Sequence, residues 1–599
     1  SAVDRLDNQR NVFVFMDRPY FPRPDHHSPF HFVSMSWAGV KSENVAAVWL
    51  LYHLTDQLTL PRLRDVAAYL DMAPRTEGNR TESYQSFKER MRDRFGIRVS
   101  RSVLDRAAYE RAVKNLETDF LFDGRAAEYQ RLKKLPYGLH FDNYRAAQVI
   151  ALKDRKLKKR QRKELHLRIS ILRRNYLALQ GVQKSLLQYR SYLSSGMLQV
   201  GDPLTWFGLF YTVANKVPDS WQVVSEQALR GRLQGLLPAE VDRFWGRIRV
   251  NGLVSSYAFS QLQRQMQVER AALSSHKPYS LEVLATVSDY RVMLGLQYLI
   301  KLGRESGIAS KLEPVLSFPL GSNVVSLAES VRMYETLVTG NRYDVLLPEG
   351  LEEIDLAEDD QDGLSIIERI EGPGGKVIYS REPDIQPVLD QRTSSAISNI
   401  LQDVVLHGTG RYARDNVRLH SVNATREKEL AKMDLPLPLM GKTGTANDYR
   451  NASFMGFVPA GIAPEGAALT FSPGYTVGVY VGFDSNVSMK KGSTRITGAQ
   501  GALQAWSNIA GALYDLEGLG DQLDPVDLVF NGIGLKYPDT GQLFVPVDPK
   551  AGGTVVEGRG ALKSLIPPDA TVVLGYGQVN SNGHFEPKRS FRPFWMNQQ

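Results

Sequence analysis

Residues 438–460 read PLMGKTGTANDYRNASFMGFVPA and contain the tetrapeptide Lys442-Thr443-Gly444-Thr445. The sequence on both sides of this stretch alternates between two kinds of pattern. GGKVIYS at 374–380 and YTVGVYVGF at 475–483 have the β-branched and aromatic content of strands, whereas SAISNILQDVV and GALQAWSNIAGALYDL have the periodicity of helices. Residues 291–522 are therefore predicted to form a mixed domain of helices and strands.

The rest of the chain differs from this stretch in character. Residues 1–55 combine Pro- and aromatic-rich sequence with an apolar run that predicts a helix start, and we expect them to complete the same domain. Residues 56–290 carry long helical patterns, including apolar positions at three- and four-residue steps from Leu165 to Leu193. Short strand-like runs and turns follow in 523–599. The predicted fold class is α+β, with an all-α insertion and a small β-rich C-terminal module.

Composition limits the functions that need to be considered. Of 599 residues, 43% are hydrophobic and 23% are charged, which is ordinary for a globular protein. There is no cysteine, which excludes disulfides, thiolate metal sites and a cysteine nucleophile. No apolar run is long enough to span a membrane. The formal net charge of +8 favours an anionic partner without identifying it.

An ordered series of motifs resembles the transpeptidase domain of class A penicillin-binding proteins. The series runs from SFPLGSNVVSLAESVRMYETLVTG at Ser317 through ILQDVVLHGTGRYA to GKTGTANDYRNASFMGFVPA and ITGAQGALQAW. K-T-G is one of three motifs that these enzymes share with serine β-lactamases. A second, S-x-N, is present as Ser42-Glu43-Asn44. The resemblance covers about residues 1–55 and 290–515, and it implies a serine β-lactamase/transpeptidase-like domain.

The resemblance also implies roles for individual residues. Lys442 would face the substrate carboxylate, and the Thr443 and Thr445 hydroxyls would hydrogen-bond to it. Gly444 would let the substrate backbone approach closely, since it has no Cβ. Ser42 would relay protons between lysines, and Asn44 would contact substrate. From the residues alone, Ser42 and Asn44 are equally compatible with capping a helix.

The third family motif, S-x-x-K, has no good match. Only Ser274–Lys277 and Ser488–Lys491 have this spacing, which is about what chance gives. Both lie C-terminal to Ser42, whereas the family order places S-x-x-K before S-x-N. We expect the nucleophile, together with a membrane-anchoring segment, to lie upstream of Ser1, so that the chain alone is inactive.

The predicted function is peptidoglycan D,D-transpeptidation through a serine acyl-enzyme. A D,D-carboxypeptidase on the same fold and a non-catalytic cell-wall scaffold remain alternatives. The resemblance implies stem peptides ending in D-Ala-D-Ala and β-lactams as ligands, an extracytoplasmic location, and neither cofactor, metal nor nucleic acid. Residues 153–174 contain eleven Lys or Arg against two acids. They are either a solvated face or a docking surface for an anionic membrane or a cell-wall accessory protein.

Overall fold

The computed structural model divides the chain into two units. It describes residues 2–78, 80–133, 137, 141–176, 197–202, 207–212, 222–223, 226–237, 239–240, 249–250, 254–345, 367–380, 383–464, 468–547, 562–566, 576–579 and 585–589. The first unit comprises Ser1–Gln9, Arg23–Tyr52 and Leu296–Phe591. The second comprises Arg10–Pro22, His53–Gly295 and Arg592–Gln599. Helices and strands occur in both units, so the α+β class is confirmed.

A four-stranded sheet organises the first unit. Its strands are, in spatial order, Met440–Thr445, Asn451–Ile462, Ala468–Gly482 and Gly534–Leu535. The first three are antiparallel neighbours, and the last pairs parallel to the third. The strand that carries the KTGT tetrapeptide is therefore at the edge of the sheet.

The other elements of this unit are shorter strands and the helices that cover the sheet. The remaining strands are Arg5–Asp7, Phe32–Ser34, Asn341–Val345, Arg369–Glu371, Val377–Ser380, Pro383–Pro387, Lys490–Lys491, Thr494–Arg495, Leu543–Val547, Leu562–Ile566, Tyr576–Val579 and Phe585–Arg589. The helices are Met35–Lys41, Asn44–His53, Ser288–Glu305, Leu327–Thr339, Gln391–His407, Arg411–Asn416, Ala424–Met433, Ala502–Glu517, Leu519–Gln522 and Pro525–Asn531, with 3₁₀ turns at Phe318–Leu320 and Asn447–Tyr449. Two of these helices, Asn44–His53 and Ser288–Glu305, continue into the second unit.

The core of the first unit forms where the helix Ala502–Glu517 packs on the central strands. Trp506 is fully buried, its ring centroid lies 4.8 Å from that of Phe454, and its indole N–H donates to the Val477 carbonyl at 3.0 Å. Such a buried aromatic pair stabilises the fold by more than the burial of its apolar surface alone. This packing fixes the strand next to the KTGT strand.

The second unit is mainly helical. Its helices are Leu60–Tyr69, Tyr84–Asp93, Arg101–Asn115, Glu117–Phe122, Ala126–Lys133, Phe141–Ala151, Lys159–Tyr176, Glu226–Leu233, Ser256–Ser274 and Leu281–Leu284. Arg101–Asn115 packs against Ser256–Ser274, and the buried Glu269 carboxylate accepts from Arg111 at 2.6 Å and from Asn115 at 2.7 Å. The amphipathic helix predicted from Leu165 onward is present as Lys159–Tyr176, and its predicted continuation lies outside the described residues.

The expectation of an all-α insertion is wrong. Met197–Asp202, Phe207–Thr212, Gln222–Val223, Arg249–Val250 and Val254–Ser255 form a five-stranded sheet. Three of these five strands are only two residues long and leave no periodicity to detect. The hairpin of Met197–Asp202 with Phe207–Thr212 was not recognised in the sequence. Two further hairpins occur in the described part of this unit, Phe13–Phe15 with Arg18–Tyr20 and Thr76–Glu77 with Arg80–Thr81.

The described part of the C-terminal region contacts the first unit's helices. Leu543–Val547 pairs antiparallel with Leu562–Ile566. The Leu565 backbone N–H donates to the Asn399 side-chain oxygen at 3.2 Å, and the Ser564 and Ser36 hydroxyls are 2.8 Å apart. Much of the predicted module at 523–599 lies outside the described residues. In the described part of the chain, no helix is long and apolar enough to cross a membrane.

Candidate active site

The structure brings Ser42 and Lys442 together although 400 residues separate them. Ser42 ends the helix Met35–Lys41 in a left-handed conformation, with φ of 55°, and Asn44 begins the next helix. This sharp turn between two helices presents the serine hydroxyl. The Lys442 ammonium donates to that hydroxyl and also to the Thr443 carbonyl at 3.2 Å.

Burial changes the chemistry of the Lys442 amine. Loss of hydration lowers its pKa from 10.5 to about 8, and the negative charge of Asp25 partly opposes this. A lysine with this pKa is mostly charged at neutral pH, yet it can give up its proton readily. The amine can therefore attract a carboxylate and exchange a proton with the Ser42 hydroxyl.

The KTGT threonines are held by two other loops. The Thr443 and Thr409 hydroxyl oxygens are 2.7 Å apart, and the Gly498 backbone N–H donates to the Thr445 hydroxyl at 3.0 Å. A Cβ added at Gly444 would lie 2.4 Å from the Ser453 hydroxyl oxygen. A side chain at that position would therefore displace the Ser453 hydroxyl on the neighbouring strand.

Asn44 makes a different contact from the other predicted site residues. Its side-chain amide donates to the Arg23 carbonyl at 2.8 Å, which ties the start of the helix Asn44–His53 to the preceding loop. Within the described part of the chain, the Asn44 side chain forms no hydrogen bond with Ser42 or Lys442. Its predicted role toward substrate stays a prediction.

Sequence reasoning missed Glu43, which lies between the two predicted residues. Its carboxylate is buried, accepts from the Asn8 amide at 3.0 Å and lies 3.4 Å from His26 Nε2. A buried acid with these partners anchors the turn that presents Ser42. A variable central position in the S-x-N motif gave no signal for this.

The turn after the helix Gln391–His407 joins the Ser42 helix to the KTGT strand. The Lys41 ammonium donates to the His407 carbonyl at 2.6 Å, and Thr409 contacts Thr443. A Cβ at Gly408 would lie 2.3 Å from the Val40 carbonyl oxygen. The close approach of Gly408 to a helix some 370 residues earlier was not readable from the sequence.

A buried acid lies one helical turn before that loop. Asp403 is buried, its Oδ2 lacks a hydrogen-bond partner within the described residues, and its Oδ1 is 3.9 Å from His407 Nε2. Burial raises the pKa of Asp403 to about 7. It lowers the pKa of His407, with help from the charges of Arg414, Lys41 and Arg411.

Neither S-x-x-K match has surroundings that fit a nucleophile. Ser274 is exposed at the end of the helix Ser256–Ser274, where its hydroxyl donates to the Arg270 carbonyl at 2.7 Å. It belongs to the second unit, whereas Ser42 and Lys442 belong to the first. Ser488 is exposed and donates to the Asp448 carbonyl, beyond the end of the KTGT strand. Across the described residues, no group of three His, Asp or Glu side chains is arranged to hold a metal ion.

Comparison with known proteins gives distant matches to one family. Penicillin-binding protein 1B of Vibrio cholerae is 24% identical over 235 residues, which are 38% of this chain and 23% of that protein. Penicillin-binding protein 1A of Aquifex aeolicus is 24% identical over 241 residues, 40% of this chain and 25% of that protein. The chain thus spans about a quarter of the length of these curated relatives.

The other comparisons add little to these sequence matches. No family model matches the chain. Among solved structures, penicillin-binding protein 1A from Haemophilus influenzae aligns with a TM-score of 0.30 and 16% identity, covering 52% of this chain and 39% of that one. The relationship accordingly rests on the two sequence matches, which make the chain a distant relative of class A penicillin-binding proteins.

Proposed function

We propose that the first unit carries the substrate wall and proton relay of a peptidoglycan D,D-transpeptidase. In this reaction a serine attacks the penultimate D-Ala carbonyl of a stem peptide, the last D-Ala leaves, and an amine of a second stem takes the acyl group. Such chemistry takes place on the cell wall, so the proposal includes an extracytoplasmic location.

The contact between Lys442 and Ser42 carries the proposal. Acyl transfer needs a group that moves protons between nucleophile and leaving group, and an amine with a pKa of about 8 beside a hydroxyl is suited to that task. The same amine, charged at neutral pH, complements the terminal carboxylate of a D-Ala-D-Ala peptide or of a penicillin.

The position of the KTGT strand supports the same proposal. It is an edge strand of its sheet among the described residues, so one row of its backbone donors and acceptors can pair with an extended peptide. A substrate added there would place its carboxylate next to Thr443 and Thr445. The relatives are named penicillin-binding proteins, and penicillin is the probe that follows from that name.

Penicillin binding to the chain tests the proposal. We expect saturable binding of a fluorescent penicillin, and roughly 10- to 100-fold weaker binding after Lys442→Met, because a charge-assisted hydrogen bond is lost. Lys490→Met, at an exposed lysine of the same unit, is the matched control and should bind as the parent does. Absence of saturable binding, or equal binding by the Lys442→Met protein, contradicts the proposal.

Mass spectrometry of the same samples identifies any nucleophile. A covalent adduct mapped to the Ser274 or Ser488 peptide would place the acylated serine inside this chain. Penicillin binding without a covalent adduct would mean that this chain supplies the substrate wall but not the nucleophile. Turnover of a D-Ala-D-Ala donor with and without an acceptor amine separates transpeptidation from hydrolysis by a D,D-carboxypeptidase. Absence of turnover with retained binding would favour the cell-wall scaffold.

A further inference from the structure

The helices Phe141–Ala151 and Lys159–Tyr176 pack against each other as a hairpin in the second unit. Contacts away from the turn hold this hairpin in place. Leu172 is buried in a cluster with Val12 and Phe21, and the Tyr144 hydroxyl donates to the Asp17 carbonyl at 2.9 Å. Residues 149–163, which we call the basic tip, form the closed end of the hairpin.

The basic tip concentrates positive charge in solvent. Its eight Lys and Arg side chains are all exposed, and none forms an ion pair with another residue in the described part of the chain; they are Lys153, Arg155, Lys156, Lys158, Lys159, Arg160, Arg162 and Lys163. The one acid within the tip, Asp154, accepts from the Lys156 backbone N–H at 2.9 Å. The next acid, Glu164, is paired with Arg10 and Arg168 and so does not offset the tip.

The basic tip also exposes aliphatic side chains. Ile150 is 66% exposed and Val149 is 42% exposed, in the last turn of the first helix and beside the charged turn. A face that is only solvated gains nothing from an exposed isoleucine. Cations next to aliphatic side chains are the combination that binds an anionic bilayer, since the charges meet headgroups while the aliphatic groups enter the acyl boundary.

We infer that the basic tip binds the surface of an anionic phospholipid bilayer. Single-stranded nucleic acid fits the tip less well, because residues 149–163 contain no Phe, Tyr or Trp on which a base could stack. An acidic protein would satisfy the charges but would leave Ile150 without a defined site. The inference does not depend on the proposed enzyme activity, since it uses residues of the second unit only.

Vesicle co-sedimentation of the complete chain tests this inference. The probes are phosphatidylcholine vesicles with and without phosphatidylglycerol, at low and high salt. A variant with Lys158, Lys159, Arg160 and Lys163 all replaced by Gln should lose roughly 100-fold or more in partitioning to the anionic vesicles. The matched control replaces four exposed lysines outside the tip by Gln, which lowers the net charge by the same amount; they are Lys114, Lys428, Lys432 and Lys490. It should lose less than about threefold.

A second substitution separates membrane binding from general charge attraction. Ile150→Ser keeps every charge but should lower partitioning several-fold, whereas Val422→Ser, at a 96% exposed valine of the first unit, should not. Equal losses in the two quadruple variants would overturn the inference. So would a parent protein that ignores anionic vesicles while binding a DNA duplex or an acidic polypeptide through the same four residues.

Discussion

The two units use their lysines in opposite ways. Lys442 is withdrawn from solvent, is bonded to a hydroxyl and a carbonyl, and has a lowered pKa. The lysines of the basic tip are exposed and have no ion-pair partner within the described residues. A desolvated lysine acts on its hydrogen-bonded partner and can transfer a proton to it. Exposed lysines instead attract an extended charged surface together. The sequence around Lys442 is accordingly a recognisable motif, whereas the sequence of the basic tip is distinguished only by its high content of Lys and Arg.

The largest expected effect concerns the backbone contact on which the candidate site depends. Gly408→Ala should destabilise the first unit by about 4 kcal/mol, because its Cβ would overlap the Val40 carbonyl oxygen. Gly511→Ala is the control, since Gly511 is helical and has nothing within 4 Å of the added Cβ, and it should be neutral or slightly stabilising. Thermal unfolding measures both. Equal melting temperatures for the two variants would show that the turn adapts freely.

Asp403→Asn tests whether the buried acid strains the same region. Because the folded-state pKa of Asp403 is raised to about 7, the folded protein holds a proton that the unfolded chain has lost. Stability from this group is present near the ordinary pKa of Asp and is lost as pH rises through about 7. The neutral variant should therefore be more stable than the parent by about 3 kcal/mol near pH 8, with little difference near pH 4.

The stability difference has to be followed as a function of pH, since His407 titrates in the opposite sense. Its lowered pKa makes the folded protein less stable as pH falls through the range between its folded and ordinary values. Because Asp403 Oδ1 lies 3.9 Å from His407 Nε2, the comparison is made in a His407→Gln background, in which the histidine no longer titrates. A pH-independent difference would mean that Asp403 is not the group that titrates.

The affinity for penicillin should depend on pH through Lys442. The charged amine is present below its pKa of about 8, so binding should weaken by up to about tenfold for each pH unit above it. Lys442→Arg retains its charge in this range, and its affinity should stay flat even if it is lower overall. An equally steep fall in the Arg variant would assign the titration to another group.

The smallest expected effect concerns the hydroxyl pair between Thr409 and Thr443. Thr409→Val should cost about 1 kcal/mol of stability and weaken penicillin binding a few-fold, because the Thr443 hydroxyl loses its partner at 2.7 Å. Thr409→Ser keeps the hydroxyl and should restore binding. Identical affinities for the two variants would show that the pair only supports the turn.

The motifs predicted more of the first unit than of the second. The ordered series around the KTGT stretch predicted strands and helices of the first unit, and the structure places Ser42 beside Lys442. Their catalytic roles stay predictions. Glu43 was not identified, and the close contact of Gly408 with Val40 was not readable, because both depend on partners distant in sequence. In the second unit, the hairpin of Met197–Asp202 with Phe207–Thr212 was not recognised, and Phe207–Thr212 also pairs with Arg249–Val250 across a long connection.

The separation of Ser42 from Lys442 has a consequence for synthesis on the ribosome. At roughly 5–20 residues per second, a gap of 400 residues means that about 20–80 s pass before the KTGT strand follows Ser42 out of the ribosome. Throughout that time the helix Met35–Lys41 lacks the helix Gln391–His407, against which it packs in the finished protein. Most of the second unit is synthesised within the same interval from the continuous stretch His53–Gly295. The first unit can therefore be completed only after most of the second unit has left the ribosome.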